Sequence, residues 1–250
     1  MLVYRRQIVK GNELILKNLK PGRGISIFVI VFFPLLLFLG TWQVVRGLEK
    51  QDILDRYDFN RSLIPVEANQ LSNEDIESNY YRTVSLEGQF MQQSYLLDNR
   101  IYRQKSGYEI FSLFHSNSNT YFLINRGWTD KEKIVEINLP KKVRIQGLYT
   151  PFRRFGLSLS AEPFINGWPK IVQELSFDQA LRDLSPEYSP QPAVIQLSAG
   201  SPGAFEPIWK PTIFKASRHY GYAIQWFGLA LVLLISYIYF GTERDRNENN

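Results

Sequence analysis

Two long stretches of this chain carry no charged side chain: Gly24 to Val45, 22 residues, and Tyr220 to Thr242, 23 residues. At a rise of about 1.5 Å per residue, either is long enough to cross a hydrocarbon core of roughly 30 Å. Backbone groups in lipid must bond internally, so both stretches are predicted to be helices, with Pro34 tolerated inside the first. Between them the apolar period changes to two. Val84, Leu86, Gly88 and Phe90 alternate with polar residues, and Tyr95-Leu96-Leu97 is a short apolar run. Tyr108, Ile110, Ser112 and Phe114 alternate again, followed by Phe122 and Ile124, then Val143 to Tyr149 and Ala193 to Leu197. His115 to Thr120 has the composition of a hairpin loop. Phe177 to Leu184 reads as one short helix, and Ser72-Asn73-Glu74-Asp75 as the cap of another.

Closely spaced strands of this kind fit an antiparallel sheet or small barrel. The expected class is therefore α+β: an antiparallel β-rich extracytoplasmic domain flanked by N- and C-terminal transmembrane helices. The expected organisation is a basic cytoplasmic tail over 1–23, a first span over 24–45, an α+β domain over 46–219, a second span over 220–242 and a short cytoplasmic tail over 243–250.

Charge gives the orientation. The first 23 residues hold six Lys and Arg against the single acid Glu13, whereas the domain between the spans is nearly neutral. Basic residues beside a span stay on the cytoplasmic side, so both termini are expected inside and the domain outside. Lys210, Lys215 and Arg218 lie on the outer side, but in a loop long enough for the rule to lose force. A folded part with balanced charge is not the profile of a nucleic-acid binder. Nothing before Gly24 resembles a Ser- and Arg-rich transit peptide, which favours a bacterial inner membrane over the mitochondrial inner membrane. The first span lacks a small-residue cleavage site and is expected to stay as an anchor.

There is no cysteine, which excludes disulfides, thiolate metal sites and cysteine nucleophiles. No H-E-x-x-H, G-x-S-x-G or Walker loop is present, and two histidines cannot build a three-histidine site. The position that stands out is His219. At helical spacing it shares a stripe with Tyr222 and Trp226 at the outer end of the second span. Aromatic side chains at that level commonly anchor a helix in the interface, which accounts for the stripe without any ligand. A neutral imidazole flanked by aromatic rings can equally ligate haem iron. Gly221 and Gly228 fall on the opposite side, and Gly40, Gln43, Val44 and Gly47 share a face of the first span. Small residues let helices approach closely in lipid, so the two glycine faces are expected to pack together, leaving the stripe of His219, Tyr222 and Trp226 turned towards a partner or ligand.

Several motifs in order carry a resemblance. They are Gly40-Thr41-Trp42-Gln43-x-x-Arg46, Tyr81-Arg82-x-Val84-x-Leu86-x-Gly88-x-Phe90, Gly107-Tyr108, Asn125-Arg126-Gly127-Trp128 and His219-x-x-Tyr222-Ala223-x-Gln225-Trp226-Phe227. Between two terminal spans this arrangement resembles the Surfeit locus protein 1 family, assembly factors of cytochrome c oxidase. The resemblance runs from about Gly40 to Phe227; it departs where Ser217-Arg218 precede the histidine, a place where members often carry Asn or an acid. It implies a non-enzymatic helper in the maturation of oxidase subunit I, working beside other oxidase assembly factors. It also implies that His219 is a ligand for transiently held haem a, with Tyr222 and Trp226 beside it. Arg126-Gly127-Trp128 would position a propionate or close a hairpin, and Arg82 and Arg126 could serve as salt-bridge partners at a sheet edge.

Three rival readings stand beside this one. A membrane scaffold would hold the subunit open and never bind haem. A membrane-tethered enzyme would need a pocket of perturbed acids and bases. A two-span sensor would need a cytoplasmic output domain, and eight residues follow Thr242.

Overall fold

The structure, a computed structural model, describes residues 21–71, 76–133, 142–156, 167–212 and 215–248, the last six by backbone alone. The basic tail through Lys20 and the expected cap at Ser72 to Asp75 lie outside the described residues. In chain order the elements are α1 (Arg23–Ser62), β1 (Val66–Glu67), β2 (Thr83–Tyr102), β3 (Lys105–Ser116), β4 (Tyr121–Asp130), β5 (Val143–Pro151), β6 (Phe155–Gly156), β7 (Lys170–Val172), β8 (Glu174–Leu175), α2 (Phe177–Asp183), β9 (Pro190–Leu197) and α3 (Ala216–Glu248). The fold is mixed α and β with a mostly antiparallel sheet. α1 and α3 are long and apolar enough to cross a membrane. The chain forms two units, one holding α1 up to Ile53 together with the chain from Thr212 onward, the other Leu54–Pro211.

α1 runs on through Pro34, whose missing N–H leaves the Ile30 carbonyl without its intrahelical donor. The charge-free stretch ends at Val45, yet the helix continues to Ser62, because Arg46 to Arg61 is rich in good helix formers and meets proline only at Pro65.

In the Leu54–Pro211 unit the sheet is built on β2. Thr83 to Gly88 pair with β5 and Gly88 to Tyr102 with β3; β4 follows β3, and β9 lies between β4 and β5. The pairing thus returns to the strand from which it started. Two expected strands, at Val84 to Phe90 and Tyr95 to Leu97, are one element of 20 residues, with register shifts between Phe90 and Ser94 and between Leu97 and Arg100. Three of the pairings are parallel, β1 with β2, β7 with β2 and β9 with β4.

Period-two alternation explains the core, but both faces are used. Phe122 and Ile124 of β4, and Ala193, Ile195 and Leu197 of β9, join Val84, Leu86, Phe90 and Phe114 on one side. The intervening Leu123 and Val194 join Tyr95, Leu97 and Phe111 on the other. Strands buried on both faces lose the polar half of the alternation, which is why Tyr121 to Ile124 of β4 read as a continuous apolar run. The second cluster is covered by Val172, Leu175, Trp168 and Phe155. α2 begins where expected, with Ser176 Oγ accepting from Gln179 N at 3.3 Å as its cap. The hairpin at His115 to Thr120 is present, with His115 facing Tyr121 across it.

Motif glycines mark close approaches. A Cβ at Gly88 would collide with the carbonyl oxygen of His115, and one at Gly107 with the Trp128 ring. One set of buried polar groups is paired around Asn125. Asn125 Nδ2 donates to Glu109 Oε1 and Gln196 Oε1, each at 2.7 Å, and Gln196 Nε2 reaches Thr150 Oγ1 at 3.1 Å. Glu109, buried to 1% exposure, meets Arg100 Nε at 2.8 Å.

The end of α1 is fixed within this unit. Asn60 Nδ2 donates to Ser78 O at 3.0 Å and Tyr80 O at 2.7 Å, and the Tyr57 ring packs with those of Tyr81 and Trp209. Tyr81 takes a positive φ of 71°, costly for an aromatic residue, and is held there by its N–H on Tyr149 O at 2.6 Å.

Arg100→Ala leaves the Glu109 carboxylate buried without its cation. Because Arg100 is one-third exposed, the loss expected in urea unfolding of the detergent-solubilised chain is about 2 kcal/mol, below the usual range for a fully buried pair. Glu109→Gln in the same chain should recover most of it, since the amide oxygen still accepts from Asn125.

Candidate functional site

His219 lies in α3, and its surroundings are set by α1. Along α1 the less exposed positions include Ser26, Val29, Phe33, Leu36, Gly40, Gln43 and Gly47. Along α3 they include Ala216, His219, Ala223, Trp226, Ala230, Leu233 and Tyr237. Both series step by three and four alternately, the spacing of a left-handed helix pair. The contacts join these two seams in antiparallel sense. Ser26 Oγ is 3.2 Å from Tyr237 Oη near one end, and Gln43 Oε1 is 2.8 Å from His219 Nδ1 near the other.

Gly40 and Gly47 are the notches of the contact. A Cβ at Gly40 would sit 2.5 Å from the Phe227 ring, and one at Gly47 would collide with the Tyr220 ring. On α3 the expected face is corrected: Gly221 and Gly228 have nothing within 4 Å of where a Cβ would be. A notch is filled by a bulky knob from the other helix, so the glycines of α1 meet aromatic rings rather than other glycines.

The stripe divides accordingly. His219 and Trp226 are half-buried along the seam, while Tyr222 is 47% exposed. His219 Nδ1 faces the Gln43 carboxamide in this contact, and the tautomer of the ring decides which side donates. His219 Nε2 is shut off from solvent and has no hydrogen-bond partner among the described residues. An imidazole nitrogen with a lone pair and no donor is chemically suited to a metal. No group of three or more His, Asp or Glu that could hold a metal ion by itself occurs among the described residues.

The remaining motif residues lie in the Leu54–Pro211 unit. Asn125 to Trp128 lies inside β4 rather than at its end, since Ile110 faces Gly127 while Phe111 faces Asn125 and Arg126 is the extra residue of a bulge. Gly127 has φ of 103°, and a Cβ there would lie 2.6 Å from Glu206 O, where the Trp128 N–H is bound. The bulge, and not a hairpin, accounts for this glycine. The bulge carries Arg126 inward. It is 2% exposed, donates from Nε to Gly203 O at 2.7 Å, and has its guanidinium over the rings of Phe90 and Phe205 at 5.0 and 4.9 Å. Burial pushes this guanidinium down to about 10, still charged at neutral pH. A buried Arg126 is not the sheet-edge partner expected. Arg82 reaches Ile64 O at 3.4 Å, a backbone contact. His115 stacks on Tyr121 at 4.6 Å and meets Asn119 Oδ1 at 3.0 Å, a hairpin-tip arrangement.

Residues 30–231 match the SURF1 family. A SURF1-like protein of Rickettsia conorii is 25% identical over 226 residues, covering 85% of this chain and 89% of the relative. One from Rickettsia felis is 25% identical over 228 residues, covering 85% and 95%. A SURF1-like protein of Dictyostelium discoideum is 32% identical over 123 residues, 44% of each chain.

Leucine at Gly47 should lower the thermal transition of the detergent-solubilised protein by several degrees, because the Tyr220 ring fills the space its side chain would take. Leucine at Gly221, which faces open space, should leave the transition within about a degree.

Proposed function

The chain belongs to the SURF1 family, and from that premise we propose that it is an assembly factor for a haem-copper oxidase, a helper and not a catalyst. In this reading α1 and α3 cross the inner membrane of a bacterium with both termini in the cytoplasm, and the Leu54–Pro211 unit faces the other side. The two charge-free stretches and the basic residues ahead of Gly24 support that placement. The role expected from the family resemblance is the maturation of oxidase subunit I, in company with other assembly factors.

One observation carries the haem step. His219 presents an Nε2 with no hydrogen-bond partner among the described residues, its ring met at the other nitrogen by Gln43. Haem a would be held through its iron at this nitrogen, with Trp226 half-buried on the same seam and Tyr222 on the open side of α3. Because Nε2 is covered, the groups that shield it must give way before a ligand reaches it. That same covering favours a second reading, in which the helix pair serves as a scaffold and His219 ligates nothing.

Membranes from a deletion strain complemented with His219→Ala separate the two. Haem delivery predicts a reduced haem a band in the difference spectrum and oxygen consumption several-fold below the wild-type complement, with equal amounts of both proteins in the membrane. A scaffold predicts full recovery of both.

A further inference from the structure

We propose that Gln43 is the positioning residue that fixes the tautomer of His219, holding the proton on Nδ1 and leaving Nε2 as a bare lone pair. The purpose of that arrangement rests on the haem-holding reading above, but its existence does not. The contact runs from Nδ1 to Gln43 Oε1 at 2.8 Å, and only a ring N–H can satisfy a carbonyl oxygen. The opposite arrangement would turn the amide over, donate from Gln43 to Nδ1 and place the ring proton on Nε2. That nitrogen is sealed and has no acceptor among the described residues. An orphaned buried N–H is rarer and costlier than an orphaned acceptor, so the first arrangement wins.

The helices hold the carboxamide in place. Gln43 lies on the seam between the Gly40 and Gly47 notches, one turn from each, and the rings of Phe227 and Tyr220 occupy those notches. Sliding one helix along the other would drive a ring into a backbone, so the height of Gln43 against His219 is fixed by packing. A free imidazole in water prefers the proton on Nε2, the tautomer that cannot ligate through that nitrogen. The seam therefore reverses the intrinsic preference. A partner that fixes the orientation of a ligating histidine is commonly worth 10- to 100-fold in affinity.

Only two histidines are present, so a His115→Asn background leaves one imidazole to observe. In that background, ¹⁵N spectra of histidine-labelled, haem-free protein in micelles above pH 8 should show His219 protonated at Nδ1. Gln43→Leu should move the proton predominantly to Nε2. Gln43→Glu, which keeps an acceptor, should restore Nδ1–H and so exclude mere misfolding. Titrated with haemin, Gln43→Leu should bind about 10-fold more weakly or worse, and Gln43→Glu should recover. An Nε2–H tautomer in the otherwise unaltered helices, or a tautomer unmoved by Gln43→Leu, overturns the proposal. If the tautomer follows residue 43 while haemin binds no better than to His219→Ala, the positioning role stands and the haem reading fails.

Discussion

Helices surrounded by lipid gain little from hiding apolar surface, because the tails around them are as apolar as their own side chains. Close fit and polar contacts must hold them together. In this chain the fit is supplied by Gly40 and Gly47 of α1, whose missing side chains admit the rings of Phe227 and Tyr220, and by Ala216, Ala223 and Ala230, buried on α3. The polar contacts include Ser26 with Tyr237 and Gln43 with His219. The chemistry available at His219 depends on this fit, since the residue that orders its ring is 176 positions away in the chain.

The Leu54–Pro211 unit is held together differently. Its strands bury both faces in two clusters, and Glu109, Asn125, Gln196 and Thr150 form one connected set of interior polar groups. Tyr57, in the last turns of α1, and Trp209 pack with Tyr81 just ahead of β2. Arg126, a residue that a membrane-level anion site would have claimed on composition, is spent instead on its own unit, between Phe90 and Phe205.

Much of this was legible in the residues. Two charge-free runs longer than 20 residues exceed the length of an ordinary core helix, and period-two alternation located β3, β5 and the first part of β2, but not the short β6, β7 and β8. The short helix from Phe177 and the hairpin after His115 were legible from local composition. The union of two strands into β2 was not legible, because Met91, Gln92 and Gln93 break the alternation where the register shifts. The inward turn of Arg126 needs the bulge, which depends on the strand opposite. At the candidate site, spacing showed that Gly40 and Gly47 share a face and that His219 lies near an end of its helix. It could not show which face of α3 is used. Glycine spacing favoured Gly221 and Gly228, whereas the contact needs knobs, and those are Tyr220 and Phe227. The pairing of His219 with Gln43 is a product of that register and leaves no trace in either segment alone.

Thiol crosslinking in native membranes tests the seam most directly, in a chain that contains no cysteine of its own. Cysteines at positions 40 and 227 should be joined rapidly by a short bifunctional reagent, and cysteines at 40 and 228 should not. Equal crosslinking of both pairs, or preference for 40 with 228, would contradict the register on which the His219 environment depends.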